Sequence, residues 1–414
     1  MERLSRWRGW PGIFAMALGI SSAAAADLVV SEPIHVLDEL AREPMVVRHP
    51  SGTLFVAGYG SQVTGTDPEA PPRLWKSTEG GTTWSRVDVG TSEDGAAGNS
   101  DVDLAVGPDG TLYFLVMGFD RSRREGTHIA VGVSHDLGKR WSWTRLSETR
   151  FDDRPWVGVA PDGTAHVVWN DDRGVSHAVS TDRGRTWTER ERIHPEGGSS
   201  HLAVGPGGDV GVRITPVGAS GNRFFPGVDL VAVSTDGGRT WTKHEAPGER
   251  IWDATDPEAV PRWVEPIAWD AAGALYSLWS EGSRVRLARS LDRGETWAFW
   301  TVLEESAAAY FPYLVARAAG ELAATWFVGS GEELAVRVVT IEVPEDAGAE
   351  LVVRRAEPFQ IDAWNEVEGD DPGRTPAGEY VPVVFLDRER LGVASSIQDL
   401  RRDRWGFTLW IVGD

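Results

Sequence analysis

One eight-residue pattern, Ser-x-Asp-x-Gly-x-Thr-Trp, occurs five times in this chain, at 77–84 (STEGGTTW), 134–141 (SHDLGKRW), 180–187 (STDRGRTW), 234–241 (STDGGRTW) and 290–297 (SLDRGETW). The first copy carries Glu79 in place of Asp, and the second carries Arg140 in place of Thr. Each residue type has a physical role in a turn. The carboxylates of Asp136, Asp182, Asp236 and Asp292 can accept hydrogen bonds from their own loop. The glycine supplies a conformation that a side chain would oppose. Trp84, Trp141, Trp187, Trp241 and Trp297 give an exposed turn a large apolar anchor. These residues, Glu79 included, therefore read as structural, not catalytic.

Upstream of each copy lies a hydrophobic run, a turn and a second run, as around Pro108-Asp109-Gly110-Thr111 and Pro161-Asp162-Gly163-Thr164. Turn residues between β-prone runs are hairpins. A third strand leads into each motif and a fourth leaves it, so the unit is a four-stranded antiparallel sheet. Successive motif tryptophans are 57, 46, 54 and 56 residues apart. That period suits blades stacked around an axis, where each sheet buries both faces.

Two later units, 313–357 and 380–412, lack the motif, and the last is one strand short. Residues 28–37 form a spare strand that can complete it and close the ring. The expectation is an all-β, seven-bladed propeller in one domain over 27–414, or a six-bladed one if a motif-free unit is irregular. Residues 1–26 read as an export signal, with Arg3, Arg6 and Arg8 before an apolar run at 13–20 and small residues through Ala26. The expected location is periplasmic or secreted.

The chain has no cysteine, which removes disulfides, thiolate metal sites and a cysteine nucleophile. Its formal charge is −21, and losing three Arg and one Glu with the leader gives −23. Such a surface disfavours nucleic acid and anionic membranes. No stretch approaches the roughly 20 apolar residues of a spanning helix. The expected partner is a glycan or a protein, met by a monomer without membrane insertion.

With its five motifs the chain resembles the Asp-box (BNR repeat) propellers, the superfamily that includes sialidases. The resemblance implies the fold and leaves activity open, since hydrolases and non-catalytic binding proteins share such boxes. For a sialidase it implies an Arg-Ile-Pro element at the first inner strand, three arginines around a carboxylate, a Tyr–Glu pair and an Asp acid/base. The stretch 43–50 contains no Arg-Ile-Pro, and Arg48 lies too near the turn to match.

In a propeller the inner strands start at one mouth of the central channel. Counting from the hairpin turns, those starts hold Glu43, Asp101 with Asp103, Asp152-Asp153-Arg154, His201, Arg262 with Glu265, Tyr310 with Tyr313, and Glu379-Tyr380. Loops at the same mouth add Asn170-Asp171-Asp172-Arg173, Arg223-Phe224-Phe225 and Glu281, while Trp252, Trp263 and Trp364 lie in long stretches able to wall it. One expectation is a binding propeller with ligand contacts from Arg154, Arg262, Asp101, His201, Tyr313 and Tyr380. The other is a sialidase-like hydrolase in which Arg154 and Arg262 grip a carboxylate. There Asp153 is the acid/base and Tyr310 with Glu265 the nucleophilic pair. No cofactor is expected; the acidic pairs 152–153 and 171–172 are the weak calcium candidates.

Overall fold

A computed structural model describes residues 27–60, 67–215, 228–248, 265–329, 334–361, 378–399 and 404–414. Seven antiparallel sheets form seven blades, and the six-bladed alternative is set aside. From the axis outward, blade 1 comprises Arg42–Arg48, Leu54–Tyr59, Arg73–Ser77 and Ser85–Arg86. Blade 2 comprises Ser100–Val106, Leu112–Asp120, Glu125–Ser134 and Ser142–Ser147. Blades 3, 4, 5 and 6 start with the inner strands Asp153–Val159, Gly198–Val204, Ile267–Trp269 and Ala309–Ala316.

Blade 7 runs Val383–Phe385, Leu391–Asp399, Arg404–Gly413, and its outer edge comes from the start of the described chain. The expected single strand over 28–37 is two short ones, Val29–Val30 and Ile34–Leu37, both antiparallel to Arg404–Gly413. Pro33, without an N–H, sits in the gap between them.

Every box closes in the same way. The box serine hydroxyl accepts from the glycine N–H, at 2.9 Å for Ser77–Gly81, 2.9 Å for Ser134–Gly138, 2.8 Å for Ser180–Gly184, 2.8 Å for Ser234–Gly238 and 2.7 Å for Ser290–Gly294. Asp182, Asp236 and Asp292 each accept from the backbone N–H and the hydroxyl of the threonine four residues on. Arg140 donates to Asp136 through its N–H and its Nε, and Thr83 donates to Glu79, so both departures from the pattern keep the clamp. Three of the box indoles meet an aromatic ring of the preceding blade. Trp84 meets Phe407 edge-on at 5.1 Å, Trp187 meets Tyr113 at 6.3 Å, and Trp241 meets His177 at 5.4 Å.

The two blades without boxes have separate reasons for lacking one. A box joins the third strand to the fourth, and in blade 7 those strands lie at opposite ends of the chain, so there is no turn to build. In blade 6 the corresponding loop is held from blade 5: Arg289 donates to the carbonyls of Pro344 and Glu345, and Trp300 Nε1 donates to Ala349 O at 3.0 Å.

Ser234 is buried, so removing its hydroxyl leaves the Gly238 N–H without its acceptor. Ser234→Ala is expected to lower unfolding free energy by about 1–3 kcal/mol in denaturant melts. A loss near zero would show that the serine is not part of the clamp.

Candidate functional site

The inner strands do not enter the sheets smoothly. Pairing slips between Arg42 and Met45, Ser100 and Val102, Asp153 and Trp156, Ser199 and His201, and Tyr310 and Tyr313. Bulges of this kind re-aim side chains. Three carry a non-glycine residue in the left-handed region, Glu43 at φ 44°, Arg154 at φ 49° and Phe311 at φ 47°. All three precede a proline, Pro44, Pro155 and Pro312. Proline suits the next position because it has no N–H to leave unpaired where the ladder breaks.

The bulges of blades 1, 2 and 3 gather charge at the mouth, and Glu379 and Tyr380 add to it just ahead of blade 7. Arg154 Nη2 donates to Glu379 Oε2 at 3.0 Å, its Nη1 lies 3.4 Å from the Tyr380 hydroxyl, and its Nε is 3.9 Å from Asp153 Oδ2. Glu43 Oε1 accepts from Glu379 N–H at 3.3 Å and lies 3.9 Å from Arg42 Nε. The Tyr59 hydroxyl lies beside both Glu43 and Arg42. Arg42 is 6 % exposed, and its Nε and Nη1 have no hydrogen-bond partner.

Burial dominates the electrostatics. It pushes the Asp153 carboxyl up to about 7 against the pull of Arg154, with Asp101 and Glu379 adding repulsion. It pushes Glu43 up to about 8, reinforced by Asp101 and Glu379 and opposed by Arg42. Asp101 is raised by the same burial, with Arg154 opposing. The native state thus holds protons that the unfolded chain releases above about pH 4. Stability from these groups is present at low pH and is lost as pH rises through 7 to 8. The Tm of the wild type is expected to fall between pH 6 and pH 9 and that of Glu43→Gln to fall less; an equal fall would place Glu43's proton loss outside that window.

Below the charges is an aromatic floor. Trp156 of blade 3 meets Tyr380, ahead of blade 7, edge-on at 5.5 Å and His201 of blade 4 at 5.0 Å. His201 meets Tyr313 of blade 6 at 5.9 Å, and the Tyr313 hydroxyl lies 4.0 Å from Met45 Sδ. The Trp156–Tyr380, His201–Tyr313 and Tyr313–Met45 contacts join blades that are not neighbours, so they cross the axis and give the mouth a base. His201 is half-buried, and its imidazole is pushed down to about 4 by desolvation, so it is neutral.

Other expected site residues are placed elsewhere. Glu265 is buried against Arg213 at 2.5 Å, and Arg213 also holds Asp229 at 2.6 Å. No hydrogen bond among the described residues joins Glu265 to Tyr310, which is half-buried. Asp103 bridges blades 2 and 3 by accepting from Leu104 and Val157 N–H groups, both at 2.8 Å. Asp152 accepts from the Ser147 and Thr149 hydroxyls and the Thr149 N–H, and Asp171 is paired with Arg192 at 2.6 Å. Asp172 and Glu281 are exposed. Arg262, Arg223, Phe224, Phe225, Trp252, Trp263 and Trp364 lie outside the described residues. Among the described residues no group of three or more His, Asp or Glu side chains is arranged to hold a metal ion.

Arg42 and Tyr59 were not among the expected residues. Arg42-Glu43-Pro44 opens the first inner strand, with Arg and Pro at the outer positions and Glu in the middle. The signal available in the sequence was the recurrence of Arg42-Glu43-Pro44, Asp153-Arg154-Pro155 and Tyr310-Phe311-Pro312 ahead of three inner strands.

A second cleft, of about 220 Å³, lies on the opposite face between blades 6 and 7. Arg317 there is paired with Glu321 and Arg354 with Asp414, so its charges are engaged internally.

The BNR/Asp-box repeat model matches residues 232–243. A sialidase of Micromonospora viridifaciens is 25 % identical over 374 residues, covering 75 % of this chain and 56 % of that protein, so the chain spans about half of that relative's length. A protein of unknown function from Dyadobacter fermentans shares the fold with TM-score 0.55 at 14 % identity, covering 94 % of this chain and 100 % of the other. An α-L-arabinofuranosidase of Fusarium graminearum does so with TM-score 0.50 at 12 % identity, covering 93 % and 98 %. With its five closed boxes and seven blades, this chain is a β-propeller built on BNR/Asp-box repeats, and it is similar to sialidases.

Proposed function

We propose that the mouth binds a glycan against its aromatic floor and hydrolyses a glycosidic bond by acid–base catalysis. The observation that carries this reading is the half-buried cluster around Arg154, in which burial raises the Asp153 carboxyl to about 7 while Glu379 is salt-bridged to Arg154 at 3.0 Å. Asp153, with its carboxyl near 7 and its side chain 28 % exposed, is the acid that protonates the leaving oxygen. Glu379, salt-bridged to Arg154, is its carboxylate partner. The Tyr310–Glu265 pair has no part in this scheme, because Glu265 is committed to Arg213.

The sialidase relative and the arabinofuranosidase neighbour make glycoside hydrolysis the chemistry to test first. The leader read in residues 1–26 fits a substrate outside the cytoplasm. A panel of aryl glycosides is the assay. Asp153→Asn is expected to lower kcat by about 10²–10⁴-fold on whichever substrate is cleaved, and wild-type activity is expected to fall above pH 7 as the acid loses its proton. Turnover that Asp153→Asn leaves unchanged would contradict the assignment. Sugar binding with no turnover in either protein would favour the non-catalytic reading, a glycan- or protein-binding propeller.

A further inference from the structure

We infer that the seam between blades 3 and 4 is an acid-sensitive joint, in which the buried pair His166 and His177 holds the two blades together while neutral and parts them on taking up protons. The inference is independent of the glycan reading above.

His166 lies in Ala165–Asp171 and His177 in Gly174–Ser180, the second and third strands of blade 3. His166 is opposite Val179 and His177 opposite Val168, so the two imidazoles are diagonal neighbours on one face of the sheet. Their rings stack at 5.4 Å with 10° between the planes, and His166 Nδ1 lies 3.2 Å from His177 Nε2. Such a contact holds one hydrogen, donated by one ring and accepted by the other. Both residues are buried, and His177 Nδ1 has no hydrogen-bond partner.

Blade 4 closes over the pair. The Trp241 indole meets His177 edge-on at 5.4 Å, and a Cβ at Gly238 would come 2.1 Å from the same ring, which leaves it no room to swing toward water. At the seam between blades 7 and 1 the box indole of Trp84 meets Phe407, also on a third strand. Here a titratable ring takes the apolar place.

Few charges act on the pair. Asp162, in the turn before Ala165, favours charge on His166, and Arg190, just past the short fourth strand Thr188–Glu189, opposes it on both rings. The inner strand places Gly158 opposite His166. From blade 4 the box turn presents Gly238 and Trp241, while its Asp236 and Arg239 are bonded to one another. Burial therefore dominates, pushing His166 down to about 4 and His177 down to about 3. An unfolded chain charges both rings below about pH 6.5. The stability that comes from keeping them neutral is present above that pH and is lost as pH falls toward 4. A proton on His177 Nδ1 would also find no acceptor. Trp156 of blade 3 and His201 of blade 4 meet across the same seam, so parting there reaches the floor of the mouth.

The test compares thermal melting of residues 27–414 at pH 7 and pH 4.5 with that of His177→Phe and of the double variant His166→Leu/His177→Phe. The other ionisable groups, His201 and the mouth carboxyls included, are common to the three proteins and cancel in the comparison. The wild-type Tm is expected to fall by about 5 °C more than that of the double variant, with His177→Phe between them. An equal fall in a folded double variant would overturn the inference. If neither variant folds, hydrogen exchange of the wild type decides. Segments 165–180 and 230–241 are then expected to lose about tenfold more protection than blades 1 and 2 between pH 7 and pH 4.5, after correction for the intrinsic rate. Protection retained at this seam, or lost evenly around the ring, would overturn the inference as well.

Discussion

Arg154→Met is expected to cost about 3–5 kcal/mol of stability at pH 8 and to weaken glycan binding by about 2–5 kcal/mol. Its guanidinium is the group that opposes the burial-driven rise of both Asp153 and Asp101, and it is salt-bridged to Glu379. Without it those carboxyls face one another with no cation between them. Part of the loss can be avoided by taking up protons. The Asp153 carboxyl, already near 7, would rise further, so the penalty is expected to be largest above pH 8 and to shrink toward pH 5. Denaturant melts of wild type and variant at both pH values test this. A penalty independent of pH would mean that Arg154 acts through packing alone.

The other large effect is expected from deleting residues 27–37. Blade 7 would keep three strands, leaving Arg404–Gly413 as an unpaired edge. Ile34 and Val36 also pack on the cluster that includes Phe407 and Leu409, which in turn holds the first box through Trp84. An open ring with a long bare edge invites association with other chains. The shortened protein is expected to aggregate or to melt more than about 10 °C lower, and a synthetic 27–37 peptide is expected to restore part of the difference. Unchanged melting would contradict closure through this segment.

The architecture was legible because the boxes and turns are local: each serine, carboxylate and glycine serves its own loop, so eight residues suffice to mark a blade. Closure by 28–37 was legible too, since the last unit was one strand short. The mouth was read only in part. Counting back from hairpin turns reached Asp153, Arg154, Asp101 and Tyr380, all of which lie at the mouth or its base. The same count missed Arg42, because the strand bulges between Arg42 and Met45 and extra residues spoil any tally made from the turn. The salt bridge between Glu265 and Arg213 was not legible either, because the two residues lie 52 positions apart in the chain. Of the floor, His201, Tyr313 and Tyr380 were named from the count, but Trp156 and the contacts between them were beyond reach for a different reason. Trp156 and Tyr380 meet only because the ring shuts, and no local pattern encodes a contact across the axis.

The most direct test is a crystal structure of residues 27–414 soaked with whichever sugar binds in solution. The sugar is expected over the Trp156–Tyr380 floor, with a hydroxyl or the glycosidic oxygen within hydrogen-bond reach of the Asp153 carboxyl. A sugar bound in the cleft between blades 6 and 7, or at the mouth without contact to Asp153, would contradict the site described here.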